Sequence, residues 1–298
     1  MKHIFTAICM AVCGGLSAAP ADVNSADAQL VQLVKQVVHD MDNLRTHAAD
    51  IRELLKRGAD PNAVYEGKSL MQLADDISWD MQQAFVRYEL SLAGAEVSAE
   101  QARQMLEFGA VYGYPEFVER ALACGAPADG IVIARYSFAC GESLLYTAID
   151  GFECHYDGDG VACARLLLAA GADPNRINTK DALVPLLNYR CTPELLTLLL
   201  EHGADPNVTN ADGRNALMLR FRYQCPHEAQ ELVRVLVRGG LNINHRDSYG
   251  MTLMDYVLDI ERRRQKAQSV HPNEWKELNE IKQLLRSLGA KSAAELKE

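Results

Sequence analysis

Leucine-rich amphipathic stretches recur along the chain, and each runs into a glycine. The position four residues before the glycine is always apolar, which is typical of the inward face of a helix. A glycine directly after such a stretch predicts a helix end in the left-handed conformation, which glycine adopts without a steric penalty. Steps of 36, 31, 46, 32, 37 and 49 residues separate the glycines. The apolar positions and their glycines are Leu54 and Gly58, Leu90 and Gly94, Ala121 and Gly125, Leu167 and Gly171, Leu199 and Gly203, Leu236 and Gly240, and Leu285 and Gly289.

The segments that follow these glycines also share a pattern. Ala-Asp-Pro-Asn follows Gly58, Gly171 and Gly203. Proline stops the helix there, and the Asp and Asn side chains favour a turn by bonding nearby backbone groups. Each next helix then begins at a residue that can cap it, and Ser98 with Gln101 has the spacing of a capping box. The other predicted caps are Ser69, Ser143, Asn215 and Thr252.

Together these landmarks resemble the ankyrin-repeat family, from about residue 25 to the C-terminus. The resemblance implies an all-α ankyrin-repeat solenoid of about seven helix-pair units. The Thr-Pro-Leu-His segment of the family is altered, so we expect the hydrogen bonding between successive histidine turns to be absent and the stack to be irregular. The histidine position holds Met71 or Gln72, Tyr146, Pro185, Met218 and Asp255.

Two segments depart from the regular spacing. Residues 126–140 form a finger loop, meaning a connection between repeats, that is longer and more apolar than the others. Its β-branched run favours a hairpin. Residues 151–162 form an insertion between the two helices of one unit.

The first residues have the pattern of an export signal. Lys2 and His3 precede an apolar run from Ile4 to Leu16, and Ala19-x-Ala21 offers a small-residue cleavage site. We therefore expect residues 1–21 to be a signal peptide and residues 22–298 to be one ankyrin-repeat domain, in a periplasmic or secreted protein. The run is too short for a permanent membrane span. Attachment of lipid at Cys13 is an alternative, although Met10-Ala11-Val12 before it matches that signal poorly.

Six cysteines remain after the predicted cleavage. An even number in an oxidising compartment favours disulfide bonds over free thiols. The spacing suggests the pairs Cys124 with Cys140, Cys154 with Cys163, and Cys191 with Cys225. The last pair is doubtful, because stacked helices usually lie about 8–10 Å apart and a disulfide needs its Cα atoms within roughly 7 Å. For all three pairs, buried unpaired thiols are the alternative.

The chain is acidic, with a formal net charge of −10, which cleavage at Ala21 would change to −11. Without a basic stripe it is a poor candidate for binding nucleic acid or anionic lipid. A cationic partner would be attracted to it, although acidity also serves solubility alone.

Sequence patterns for catalysis are incomplete. Gly67-Lys68-Ser69 lacks the earlier glycine and the strand of a phosphate-binding loop. The helix start at His227-Glu228 lacks a second histidine for zinc, and His155 to Gly160 lacks the acidic ladder of a calcium loop. We therefore expect no enzyme activity, cofactor or metal. A hydrolase or metal-dependent enzyme on an ankyrin scaffold is the alternative.

The remaining candidate is a surface for another protein. In the ankyrin family the finger loops and first helices bind partners, and aromatic, isoleucine and arginine side chains are typical anchors. In the long finger we expect Ile131, Ile133, Arg135, Tyr136 and Phe138 to contact a partner, unless this loop folds back on its own stack. Secondary candidates at other fingers are Tyr65, Arg176, Asn178 and Tyr249.

We expect a monomer that binds another envelope protein and so protects, inhibits or supports it. The chain also resembles exported bacterial ankyrin proteins. Two roles follow from that resemblance. One is immunity, in which the protein neutralises a toxin delivered into the periplasm. The other is support of a periplasmic enzyme such as a catalase.

Overall fold

The computed structural model describes residues 25–37, 44–77, 80–133, 140–150, 158–177, 186, 191–223, 229–266 and 272–296. These residues belong to two compact units, one ending at Val97 and one beginning at Ser98. Each unit is built from helix pairs. The predicted signal peptide lies outside the described residues, so the predicted boundary at residue 21 stays a prediction.

The first unit contains two repeats. Its elements are α1 (Ala26–Val37), α2 (Leu44–Lys56), β1 (Val64–Tyr65), β2 (Lys68–Ser69), α3 (Leu70–Ala74) and α4 (Asp80–Leu92). Helix α1 packs on α2 within one repeat, and α3 packs on α4 within the next. Between the repeats, α1 contacts α3 and α2 contacts α4. Leu30, Ile51, Leu70 and Leu90 are fully buried at the centre of this stack.

The second unit is built of helix pairs in the same way. Its helices are α5 (Ala99–Tyr112), α6 (Pro115–Ala123), α7 (Leu144–Asp150), α8 (Gly160–Ala169), α9 (Pro193–Glu201), α10 (Ala216–Tyr223), α11 (Ala229–Arg238), α12 (Leu253–Lys266) and α13 (Pro272–Ser287). First helices stack on first helices, as α5 does on α7 and α10 on α12. Second helices do the same, as in α6 with α8 and α9 with α11. Residues 178–185 and 187–190 of the fifth repeat lie outside the described residues, and Leu186 between them is buried.

The repeat glycines end the second helices in the predicted way. All seven have φ between 84° and 96°. The N–H after each glycine donates to the carbonyl oxygen of the apolar residue four positions before it, as from Ala172 to Leu167 at 3.0 Å. Those seven apolar residues are buried. This is the Schellman helix end, so the prediction of an all-α ankyrin-type repeat fold is confirmed.

The predicted N-caps are confirmed as well. Ser69 and Ser98 each form a full capping box, with Gln72 and Gln101. Ser143 Oγ accepts from the N–H of Tyr146, and Asn215 Oδ1 accepts from that of Met218.

Asparagine side chains join successive repeats. The amide of Asn207 donates to the carbonyl oxygen of Gly240 at 3.1 Å, and its Oδ1 accepts from the N–H of Asn242 at 2.7 Å. Asn62, Asn175 and Asn244 make the same pair of bonds to the repeats that follow them. The asparagine after each turn therefore satisfies backbone groups that a helix end leaves without partners.

A side chain still forms hydrogen bonds across the last repeat junction, although the histidine of the family motif is replaced there. Asp255 stands at that position, and its Oδ2 accepts from the backbone N–H of Thr252 at 2.8 Å. The same oxygen accepts from the backbone N–H of Ala293, in the following segment, at 2.9 Å. A carboxylate thus supplies a bond between repeats here, where the altered motif led us to expect none.

The two irregular segments are only partly described. The backbone around Ile131 pairs antiparallel with the backbone around Ser143, through bonds between Val132 and Glu142 and between Leu144 and Gly130. The hairpin predicted within the loop stays a prediction. Residues 134–139 of the finger loop and 151–157 of the insertion lie outside the described residues. None of the helices that the structure describes is long and apolar enough to cross a bilayer.

Candidate partner-binding fingers

Exposed apolar side chains are concentrated on the fingers, the segments that link the last turn of one repeat to the first helix of the next. Leu92, on α4, is the one such residue outside a finger among those the structure describes. Large apolar side chains in water are the usual mark of a contact surface when they recur together. The exposed fractions are 68% for Val64, 54% for Leu92, 53% for Ile133, 61% for Ile177 and 68% for Tyr249.

The finger of the first repeat is the two-stranded hairpin of β1 and β2. Successive side chains of a strand point to opposite faces, so those of Val64 and Tyr65 lie on opposite faces of the hairpin. Tyr65 packs partly against the core of the first unit, with Lys35 Nζ 3.5 Å from its ring centroid. The exposed apolar side chain is Val64, which sequence analysis missed and which the alternation of strand faces could have indicated.

The long third finger leaves the stack at Val132, which is buried. Ile131 is half-buried and pairs with Ser143, whereas Ile133 is exposed. This part of the finger is therefore fixed by backbone hydrogen bonds as far as Val132. The other three candidates of this loop, Arg135, Tyr136 and Phe138, lie outside the described residues.

The fourth finger is tied to the third by an ion pair. Arg176 Nη1 lies 2.5 Å from Asp129 Oδ2, and both side chains are partly exposed. The neighbouring Ile177 points into solvent, a residue that sequence analysis did not select. The selected residue Asn178 lies outside the described residues.

The sixth finger carries Tyr249 above a buried guanidinium. The Arg214 Cζ atom lies 5.1 Å from the Tyr249 ring centroid, within the range of a cation–π contact. Arg214 is only 5% exposed, and its Nε donates to Tyr256 Oη at 2.7 Å. Its Nη1 lies 2.5 Å from Asp212 Oδ2, and Tyr256 donates in turn to Asp247 Oδ2 at 2.6 Å. Tyr249 is thus placed by a polar cluster that the sequence did not reveal.

The protonation state of this cluster is well defined. Burial, followed by the hydrogen bond to Asp247, raises the pKa of Tyr256 to about 12. Burial opposes the charge of Arg214, but the hydrogen bond to Tyr256 and the two carboxylates outweigh it and raise the pKa of the guanidinium. Tyr256 is therefore neutral, and Arg214 positive, throughout the physiological range.

Four of the six cysteines are described, and all four are free thiols in the structure: Cys124, Cys140, Cys163 and Cys191. The buried Cys163 donates through Sγ to the carbonyl oxygen of Gly109, 3.5 Å away on α5. Burial raises the pKa of Cys191 to about 12. Cys154 and Cys225 lie outside the described residues, and the three disulfide bonds stay a prediction.

The motif that most resembled a phosphate loop has a structural role. Lys68 forms an ion pair with Asp76 at 2.8 Å, and Ser69 caps α3. In the calcium-like segment, Asp159 caps α8 through the N–H of Ala162. Within the described parts of the chain, no three His, Cys, Asp or Glu side chains are grouped as a metal would need.

Comparison with known proteins found ankyrin repeats. No family model matches the chain. An ankyrin repeat protein of Acanthamoeba polyphaga mimivirus is 29% identical over 105 residues, 34% of this chain. A second mimivirus ankyrin repeat protein is 32% identical over 78 residues, 23% of this chain. A protein of Oryza sativa subsp. japonica, named as a probable E3 ubiquitin-protein ligase, is 35% identical over 112 residues, 37% of this chain. The matched segments span 18%, 14% and 19% of these three relatives.

Proposed function

Because this chain is built of ankyrin repeats, as its mimivirus relatives are, we propose that it is a protein-binding module that contacts its partner through the tips of its fingers. The observation that supports this proposal most directly is the position of the exposed apolar side chains. In the second unit Ile133, Ile177 and Tyr249 lie on three separate fingers. A connection between repeats needs no apolar tip for folding, so the exposure of these side chains favours a role in binding.

The fingers are held firmly enough to act as a preformed surface. Arg176 joins the fourth finger to the third through Asp129. Ser248 N–H donates to the carbonyl oxygen of Asp212 at 2.9 Å and joins the sixth finger to the fifth. A surface that is ordered before binding loses less conformational entropy when a partner arrives.

The proposal extends to place and role. The protein is exported after removal of residues 1–21 and acts as a monomer without catalysis of its own. Its partner is another envelope protein, which it inhibits as an immunity protein or supports as an enzyme accessory. A toxin gene beside the gene for this protein would favour immunity, and a catalase gene there would favour the accessory role.

The experiment compares three baits in an extract of the source organism's envelope fraction. Wild type is the first bait, Ile177→Asp the second and Leu92→Ser the third. Leu92 is the matched control because it is an exposed apolar residue that is not on a finger. We expect mass spectrometry to find a partner that wild type and Leu92→Ser retain and that Ile177→Asp loses. Equal retention by all three baits would rule out the finger surface.

A further inference from the structure

The buried cluster beneath Tyr249 has unequal charges. Arg214 contributes one positive charge, and Asp212 and Asp247 each contribute a negative one. Tyr256 is neutral, because its pKa is raised to about 12. The cluster is therefore one positive charge short of neutrality.

The unbalanced charge reaches solvent at one carboxylate. The side chain of Asp247 is fully buried, whereas that of Asp212 is 44% exposed. Burying a charge without a counter-charge is costly, so a cation from outside would gain most beside Asp212.

The ring of Tyr249 lies next to the same guanidinium. The backbone bond from Ser248 to Asp212 joins the two fingers, and the Tyr249 ring and the Asp212 carboxylate both contact the Arg214 guanidinium. The face of an aromatic ring attracts cations. Arg214 on one side of the ring would ordinarily repel a second cation, but the two carboxylates outweigh its charge.

We propose that Tyr249 and Asp212 form a recognition point for a lysine or arginine side chain of a partner protein. This inference rests on the proposed function and adds the chemistry of the partner. The exposed carboxylate of Asp173 on the fourth finger, and the net charge of −10, favour a cationic partner surface in the same way. One ring and one carboxylate do not supply the six to eight oxygen ligands that a calcium ion takes.

The test uses a phage-displayed library of random peptides, selected on the folded full-length chain. We expect the enriched peptides to share a lysine or arginine. A synthetic peptide of the consensus should lose about tenfold in affinity when its lysine becomes norleucine, or its arginine citrulline, which keeps the stem and removes the charge. Asp212→Asn and Tyr249→Leu should each lower the affinity for the charged peptide by a similar factor. Each should also reduce the difference in affinity between the charged peptide and its uncharged analogue.

Asp205→Asn is the matched control. Asp205 is also an exposed finger carboxylate, and Asn242 makes the corresponding turn in the next finger, so asparagine fits this position. This variant should bind the peptide as wild type does. The recognition point would be overturned if the selection enriched no peptide, or if the enriched peptides shared no lysine or arginine. It would also be overturned if Asp205→Asn and Asp212→Asn lost the same amount of peptide affinity.

One further variant separates this inference from the proposed function. If Ile177→Asp lowers the affinity for the selected peptides while Asp212→Asn does not, the finger surface is supported and the cation site is ruled out. If neither variant lowers this affinity, both the finger surface and the cation site are ruled out.

Discussion

The side-chain amide of Asn175 donates to the carbonyl oxygen of Gly203, 2.9 Å away, and so joins one repeat to the next. Its Oδ1 accepts from the N–H of Asp205 at 2.8 Å, which makes the contact two-sided. In repeat proteins each unit contacts its neighbours alone, and stability is approximately a sum of such interfaces. The asparagine of each Asp-Pro-Asn turn therefore stabilises the stack as well as the turn.

Substitutions at Asn207 test this role. Asn207→Ala removes both bonds to the following repeat, and we expect a loss of about 1–2 kcal/mol in the free energy of unfolding. Asn207→Asp keeps the acceptor for Asn242 and loses the donor to Gly240, so its loss should be about half as large. Urea unfolding followed by circular dichroism measures both. An alanine variant as stable as wild type would show that water replaces these bonds without cost.

Two glycines should respond to alanine for different reasons. Gly203 has φ of 90° and open space where a Cβ would lie, so Gly203→Ala should cost about 1–2 kcal/mol through backbone strain alone. Gly109 lies within α5, where alanine is normally the better residue. An added Cβ there would lie 2.9 Å from the backbone nitrogen of Val118 on α6.

We therefore expect Gly109→Ala to lower the denaturation midpoint, with a loss of about 1–3 kcal/mol from overpacking. The measurement is the same urea titration. A Gly109→Ala variant more stable than wild type would show that α5 and α6 move apart easily.

The repeat fold could be predicted from the sequence because its determinants are local. A glycine after an apolar helix, as at Gly171, specifies a left-handed helix end with few alternatives, and Ser98 with Gln101 specifies a helix start. The bond that Asp255 accepts from the N–H of Ala293 was not predictable in the same way. It depends on the spatial approach of two segments 38 residues apart.

The finger tips were predicted less well, again for a physical reason. Which of Val64 and Tyr65 faces solvent depends on the register of a two-residue strand against its stack. The burial of Arg214 depends on carboxylates from two fingers and a hydroxyl from α12. Neither feature leaves a periodic signal in the chain, so both required the three-dimensional structure.

The C-terminal segment should confer a pH dependence. The hydrogen bond from Arg286, followed by those from Ser292, lowers the pKa of Glu295 to about 2, against 4.5 for a free side chain. Because the folded-state pKa is the lower one, the stabilising contribution is fully present above pH 4.5 and is lost as the pH falls towards 2.

Melting temperatures of wild type and Glu295→Gln test this between pH 7 and pH 2. The variant should melt lower at neutral pH, and the difference should shrink below pH 4.5. Glu201→Gln, at an exposed glutamate on α9, is the control. A difference for Glu295→Gln that stays constant over the whole range would contradict the assignment.

Thiol reactivity separates burial from disulfide formation. In the folded protein Cys191 should resist alkylation at pH 8, because it is buried and burial raises the pKa of its thiol to about 12. Alkylation of denatured, non-reduced protein, followed by peptide mass spectrometry, then shows which cysteines are bonded. The predicted bonds require that none of the six be labelled. Labelling of both Cys124 and Cys140 under these conditions would rule out their pair.

Processing can be checked on protein purified from its source. The small residues after the apolar run predict an N-terminus at Asp22. Edman sequencing of the mature protein should find Asp22-Val23-Asn24. An intact Met1 would contradict export and remove the reason to expect disulfides.

Two tyrosines contact one guanidinium, and they should respond oppositely to substitution. Tyr256→Phe deletes the hydroxyl that accepts from Arg214 and donates to Asp247, leaving buried polar groups short of a partner. We expect a loss of about 1–3 kcal/mol in the free energy of unfolding. Tyr249→Ala removes an exposed ring, so thermal stability should change little, while partner binding should weaken by about 2 kcal/mol, as for a central aromatic anchor.

Calorimetric unfolding and titration with the captured partner measure the two effects side by side. Tyr249→Phe keeps the ring over Arg214 and should retain most of the affinity, because the cation–π contact does not need the hydroxyl. If Tyr249→Ala lowered the melting temperature as much as Tyr256→Phe and left affinity unchanged, Tyr249 would be a structural residue of the sixth finger. The partner would then have to bind at Ile133 and Ile177, where aspartate substitutions would locate it.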